Sequence, residues 1–151
     1  MNAFITSIHE IILRDLDKLE KEISLYPDEE SIWKVDGQIT NTAGNLCLHL
    51  CGNLQHYFGA VLGKSGYIRH RDLEFSSKNI SRQKLIEEIS KAKEAVNRTL
   101  QSFPVDQLEK EYPEKVYEYT MSSQHFFIHL AAHLGYHLGQ VNYHRRLLAT
   151  Q

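Results

Sequence analysis

The chain is expected to fold as an all-α four-helix bundle, and three observations carry that expectation. Four long segments place apolar residues three and four positions apart, the repeat of one helix face. No segment sustains the two-residue alternation of a strand. The three prolines, Pro27, Pro104 and Pro113, all fall between the helical patterns, where a missing N–H and a fixed φ do no harm. At 151 residues the chain can bury a full core. No linker, repeat or low-complexity stretch divides it, so residues 1–151 are read as a single domain.

The first helix runs from about Ala3 to Leu25, with Ile5, Ile8, Ile12, Leu16, Leu19 and Ile23 on one face; Pro27 stops it. The second begins at an N-cap, Asn41 or Thr42, and carries Leu46, Leu50, Leu54, Tyr57 and Val61 inward until Gly63 and Gly66 end it. The third starts at Ser81, buries Leu85, Ile89, Ala92, Val96 and Leu100, and closes before Pro104. The fourth starts at Ser122 or Ser123 and runs to about Ala149 with Phe127, Leu130, Leu134, Val141 and Leu148 inward. Lys64–Ile80 and about Phe103–Met121 connect these helices and exceed the usual bundle turn, so one of them is a candidate crossover. Gly44, Gly52, Gly59, Gly135 and Gly139 lie inside helices, each at a cost of about 1 kcal/mol against alanine. They point to close helix approach, within the bundle or across a homodimer.

Composition excludes several function classes. The formal charge is −2 and the pI near 6.5, which argues against a nucleic-acid surface. Apolar runs are short and interrupted, so no membrane span is expected. Glu10, Arg14, Asp15 and Asp17 come too early for a signal peptide. Cys47 and Cys51 do not make a secreted disulfide framework. A cytoplasmic protein is the expectation.

The anomaly is histidine: nine in the chain, five of them between His125 and His144. His125, His129, His133 and His137 recur every fourth residue, and positions four apart stack on one helix face. Such a pair can grip one metal ion. On a helical wheel His133 and His137 border the inward stripe, whereas His129 and His125 wind away from it. His49 borders the stripe of the second helix. These three, His49, His133 and His137, are the candidate metal ligands, with the fourth position left to solvent or substrate. Gln140, His129 and Tyr136 are candidates for orienting them. His9, His70 and His144 are read as packing residues, and His125, His129 and His56 as packing, supporting or surface residues. Asn45 and Asn53 lie one turn either side of His49 but suit zinc or nickel poorly. Cys47 and Cys51 point away from His49 and are read as small buried fillers. Lys64–Arg71 is a basic, aromatic stretch. One reading is a loop that meets an anionic substrate; the reading preferred is a solvated loop in which Arg69 and Arg71 pair with Asp72 or Glu74.

Gly44-Asn45-Leu46-Cys47-Leu48-His49-Leu50, followed by His133-Leu134-Gly135-Tyr136-His137-Leu138-Gly139-Gln140, resembles the DinB/YfiT-like superfamily, and most of all its Bacteroidetes-type subgroup. The H-x3-H-x-G-Q ending is the most specific part of the match. Trp33 and Gly37-Gln38-Ile39-Thr40 resemble the family's entry into the second helix. The resemblance implies an up-down-down-up bundle with a long crossover. It implies one divalent transition metal, zinc or nickel, on three histidines that map to His49, His133 and His137. It also implies a dimer and, in some members, S-transfer with a low-molecular-weight thiol such as bacillithiol or mycothiol; other members are isomerases.

Three function classes follow. A thiol at the open position loses its proton, which suits a metal-dependent S-transferase acting on a small-molecule substrate. Water there suits a metal-dependent hydrolase, although no H-E-x-x-H glutamate supplies a base. A non-catalytic, metal-stabilised bundle that binds a ligand or partner is the third. Metal binding is expected to weaken as pH falls through the ordinary histidine range near 6.5.

Overall fold

The computed structural model describes residues 1–149; Thr150 and Gln151, the last two of the expected domain, lie outside the described residues. Among the described residues there are five α-helices: α1 (Ala3–Leu25), α2 (Ala43–Leu54), α3 (Arg71–Ser76), α4 (Arg82–Ser102) and α5 (Ser123–Leu148). Extended pairing among the described residues is limited to two isolated bridges, Asp36 with Ile39 and Glu111 with Ser122. The all-helical expectation is met. No described helix is long and apolar enough to cross a membrane.

Side-chain caps start the long helices. Asn2, Thr42, Ser81 and Ser122 each accept a hydrogen bond from the backbone N–H three residues on. Thr42 rather than Asn41 therefore caps α2, and Ser122 rather than Ser123 caps α5. α1 and α2 each pack against both α4 and α5. At one end Arg82, opening α4, donates to the carbonyls of Ser24 and Tyr26, and at the other His9 of α1 meets Asn97 of α4. Tyr26 meets His144, and Glu22 accepts from Asn142 and Arg145, so the late parts of α1 and α5 lie together. The expected inward residues of α1 and α4 are all buried. On α5 Leu148 is only half-buried.

Two stretches depart from the expected pattern. First, α2 does not continue as a regular helix to Gly63. Residues Gln55–Leu62 form a π-helical stretch in which the Gly63 N–H donates to the Phe58 carbonyl, five residues back. Thr99 of α4 donates its hydroxyl to that same carbonyl at 2.8 Å, so a neighbouring helix anchors the wider turn. The rotation leaves Tyr57 half-buried at a cavity wall rather than in the central stripe. Second, the connection from α2 to α4 is not a plain loop, because α3 forms within it. A six-residue helix is too short to show a 3.6-residue stripe, and long-range polar contacts hold it in place. Asn45 of α2 donates to the carbonyls of Glu74 and Ser77 at 3.0 and 2.8 Å.

The helix glycines divide into two groups. A Cβ on Gly44 would sit 2.5 Å from the Trp33 indole, and one on Gly52 would overlap the Glu74 carboxylate. Both mark close approaches inside the bundle. Gly139 meets nothing and Gly135 only the edge of Asp15, so these two lie on an open face.

Candidate metal centre

His49 comes from the middle of α2, and His133 and His137 from successive turns of α5. Their ligating atoms all lie within 4.8 Å of one another, so the three could hold one metal ion. The Nε2 atoms of His49 and His133 are 3.1 Å apart. Two nitrogens bound at about 2.0–2.1 Å to a tetrahedral ion lie roughly 3.3 Å apart, so the spacing fits a metal with little movement. The rings meet edge to face, His133 with His137 at 4.6 Å and His49 with His137 at 5.3 Å between centroids.

The outer nitrogens explain why the inner ones are available. His49 Nδ1 lies 3.0 Å from Glu74 Oε1. A carboxylate only accepts, so Nδ1 carries the proton and Nε2 turns a lone pair to the cluster. His137 Nδ1 donates to Gln140 Oε1 at 2.6 Å, which fixes that ring in the same way. His133 differs: its Nδ1 is buried and has no hydrogen-bond partner. Of the three ligands it alone lacks a protein group to hold its ring, and its neighbours are imidazoles.

Electrostatics favour the neutral ring at His133 and His137. Burial first, then the nearby His137 and His49, pull His133 down to about 3 from its ordinary 6.5. Burial also lowers His137, against the opposing hydrogen bond to Gln140. His133 and His137 therefore keep neutral rings to lower pH than a free histidine does.

Glu74 is the residue that the sequence did not single out. Burial alone would raise its carboxyl, but hydrogen bonds from His49 and Arg69 hold it below the usual carboxylate range. Arg69 donates to it through Nε and Nη2, both at 2.9 Å, and the two side chains are 11% and 6% exposed. The expected pairing of Arg69 is right in partner and wrong in setting, because the pair is buried behind His49 instead of solvated. Arg71 does not pair with Asp72 or Glu74; its guanidinium lies 5.3 Å from the Phe75 ring centre. One sequence signal did point at Glu74. Gly52 lies one turn past His49, and its missing side chain is the space the carboxylate occupies.

A cavity of about 230 Å³ opens beside the cluster, walled by His49, His133, His129, Asn53, Tyr57 and Tyr117, among others. Tyr117, from the connection before α5, meets His129 Nε2 at 3.0 Å. His129 is lowered by burial and by His125, and its ring stacks 6.4 Å from that of His133. It is a cavity residue, one turn from the ligands. Gln140 takes the supporting place expected of it. Tyr136 does not: it is 67% exposed and touches only the ring of His137, since its position points outward on α5.

The remaining histidines follow their packing or surface readings except His70, which was expected to pack and instead lies in the exposed connection before α3. His144 is buried between the Tyr26 hydroxyl and the Lys34 carbonyl, and His9 meets Asn97. His56 meets Glu114, while His70 and His125 are exposed. Cys47 and Cys51 are free and buried, and neither lines the cavity. A hydrogen bond with Cys47 and burial push the Cys51 thiol well up. Asn45 is a structural brace, whereas Asn53 reaches the cavity with its Oδ1 unpartnered.

Comparison with known proteins adds a family. No curated protein matches the chain. A family model described as "Protein of unknown function (DUF1572)" matches residues 2–151, essentially the whole length, and the chain belongs to that family.

Proposed function

We propose that the protein is a metal-dependent enzyme whose centre is one divalent transition ion, zinc or nickel, on His49, His133 and His137. The observation that carries this reading is a trio of converging imidazoles, two with their outer nitrogens already engaged, of which His49 and His133 wall a cavity. Three neutral ligands leave an ion's charge intact, and such an ion lowers the pKa of a thiol or water at its open position.

Among the reactions open to such a site, we favour S-transfer from a low-molecular-weight thiol to a small electrophile. Neither protein cysteine reaches the cavity, so the sulfur must come from the substrate. Phe126, Leu130 and Val116 shed water from the cavity wall. His129, neutral and hydrogen-bonded to Tyr117, is placed to take up the proton released there. The assay mixes 2-mercaptoethanol with an alkyl halide and reads halide release as the S–C bond forms. Activity in zinc- or nickel-loaded protein that is lost after chelation and in His133→Ala supports the reading. Hydrolysis of an ester by the loaded protein, without thiol transfer, would replace it with the hydrolase.

We propose further that residues 1–151 form one DinB-like domain with an up-down-down-up bundle. The pairings of α1 with α4 and α5, and the long connection before α4, support it. A homodimer across α5 completes the reading. Ile128, Tyr136, Tyr143 and Leu147 are exposed there at helical spacing, and Gly135 and Gly139 leave the face low. Light scattering that reports a monomer at micromolar concentration would remove the dimer.

A further inference from the structure

We infer that the cavity beside the histidine cluster is an anion site, built for a small substrate bearing a carboxylate, with Arg71 and the free edge of Arg69 as its recognition groups. The inference deepens the metal-centre reading and rests on it for what then happens to the substrate. The anion site itself is read from other residues.

The chain is net acidic, with 19 carboxylate residues against 17 arginines and lysines. The cavity inverts that balance: two arginines line it and no carboxylate does. Arg69 spends Nε and Nη2 on Glu74, which leaves Nη1 outside that pair, and its guanidinium lies 5.9 Å from the Tyr57 ring. Arg71 is held over Phe75 and makes no ion pair with any described carboxylate. Glu114, on the connection that carries Val116 and Tyr117, is engaged by His56 at 2.9 Å. A guanidinium fork is the natural partner of a planar carboxylate.

Two further features set the substrate's shape. Tyr57, Tyr117 and Phe126 supply aromatic walls. Asn53, 8% exposed, adds an amide to the same wall. The volume of about 230 Å³ falls below the roughly 300–1,000 Å³ of ordinary small-molecule sites, so the anion is small.

Benzoate and benzamide test this, because they share size and ring and differ in charge. Calorimetric titration is run on the wild type, Arg71→Gln and Arg71→Lys, each zinc-loaded and chelator-stripped, with circular dichroism to check folding. Stripped wild type is expected to bind benzoate about tenfold or more tightly than benzamide, the worth of one charge-assisted hydrogen bond. Arg71→Gln should lose most of that preference and Arg71→Lys should keep most of it. Equal affinity for the two probes, no benzoate binding at millimolar concentration, or a preference unchanged in Arg71→Gln would each overturn the anion site. A preference present only with zinc would overturn it too, since the carboxylate would then be a ligand of the ion. The metal reading fails separately, by elemental analysis showing equal zinc in His133→Ala and wild type.

Discussion

Two histidines of α5, His144 buried and His133 half-buried, do opposite things. His144 has both ring nitrogens satisfied, Nδ1 by the Tyr26 hydroxyl at 2.7 Å and Nε2 by the Lys34 carbonyl at 2.8 Å. It ties α5 to the end of α1 and to the segment that follows. His133 has one nitrogen against another imidazole and the other against nothing. A buried polar atom left unpaired costs about 1–3 kcal/mol, so the fold tolerates at His133 what it avoids at His144. The difference separates a histidine whose nitrogens serve the fold from one with a nitrogen that the fold leaves unpaired.

The contrast can be broken most sharply at His133. His133→Ala should lower zinc affinity by more than about 100-fold, beyond the effect of losing a supporting group, while the folded state survives. His49→Ala and His137→Ala should behave alike, and elemental analysis after equal exposure to zinc and nickel compares them. His144→Ala should do the reverse. Metal content stays, but stability falls by about 2–4 kcal/mol, because a buried hydroxyl and carbonyl lose their partner and a cavity opens. A urea titration that finds His144→Ala as stable as wild type would erase the distinction.

Smaller effects sharpen it. Glu74→Gln keeps the shape but weakens the hold on His49 Nδ1, and metal affinity should drop by about 10–100-fold. Gly52→Ala should act in the same direction by pushing the Glu74 carboxylate aside. Wild-type affinity in both variants would mean that Glu74 only packs.

The pH dependence of the metal-free protein offers a third comparison. His133 is lowered to about 3 in the folded state, so between about 6.5 and 3 the unfolded chain binds more protons than the folded one. Stability should therefore fall as pH drops through that window. His144 is lowered as well, by burial against its Lys34 hydrogen bond, and adds to the same slope. Urea midpoints taken at about pH 7 and about pH 4 should differ less in His133→Ala than in wild type. The smallest expected effect is none: His125→Ala and His56→Ala should load as much metal as wild type. A loss at either would shift the ligand set along α5 or α2.

Much of this was legible in the residues. The stripes of α1 and α4 needed no correction, because each helix buries one face and the 3.6-residue repeat reports that directly. The i, i+4 spacing of His133 and His137 put them on one face before any partner was known. Tyr57 and Tyr136 were misjudged for different reasons. The first is turned by a π-helical stretch that a neighbouring threonine stabilises, and the second is carried outward by its place on the helix.

The amino-acid sequence by itself determined the four long helices, the inward faces of α1 and α4 and the histidines able to ligate a metal, since all of these are local or periodic properties. The tertiary structure decided which groups converge. Glu74 reaches His49 across 25 positions of chain, and Tyr117, Asn53 and Arg71 meet at one cavity from three separate elements. Nothing in the spacing of those residues encodes their meeting. It follows from where α2, α3 and α5 pack, and packing is set by the whole core at once.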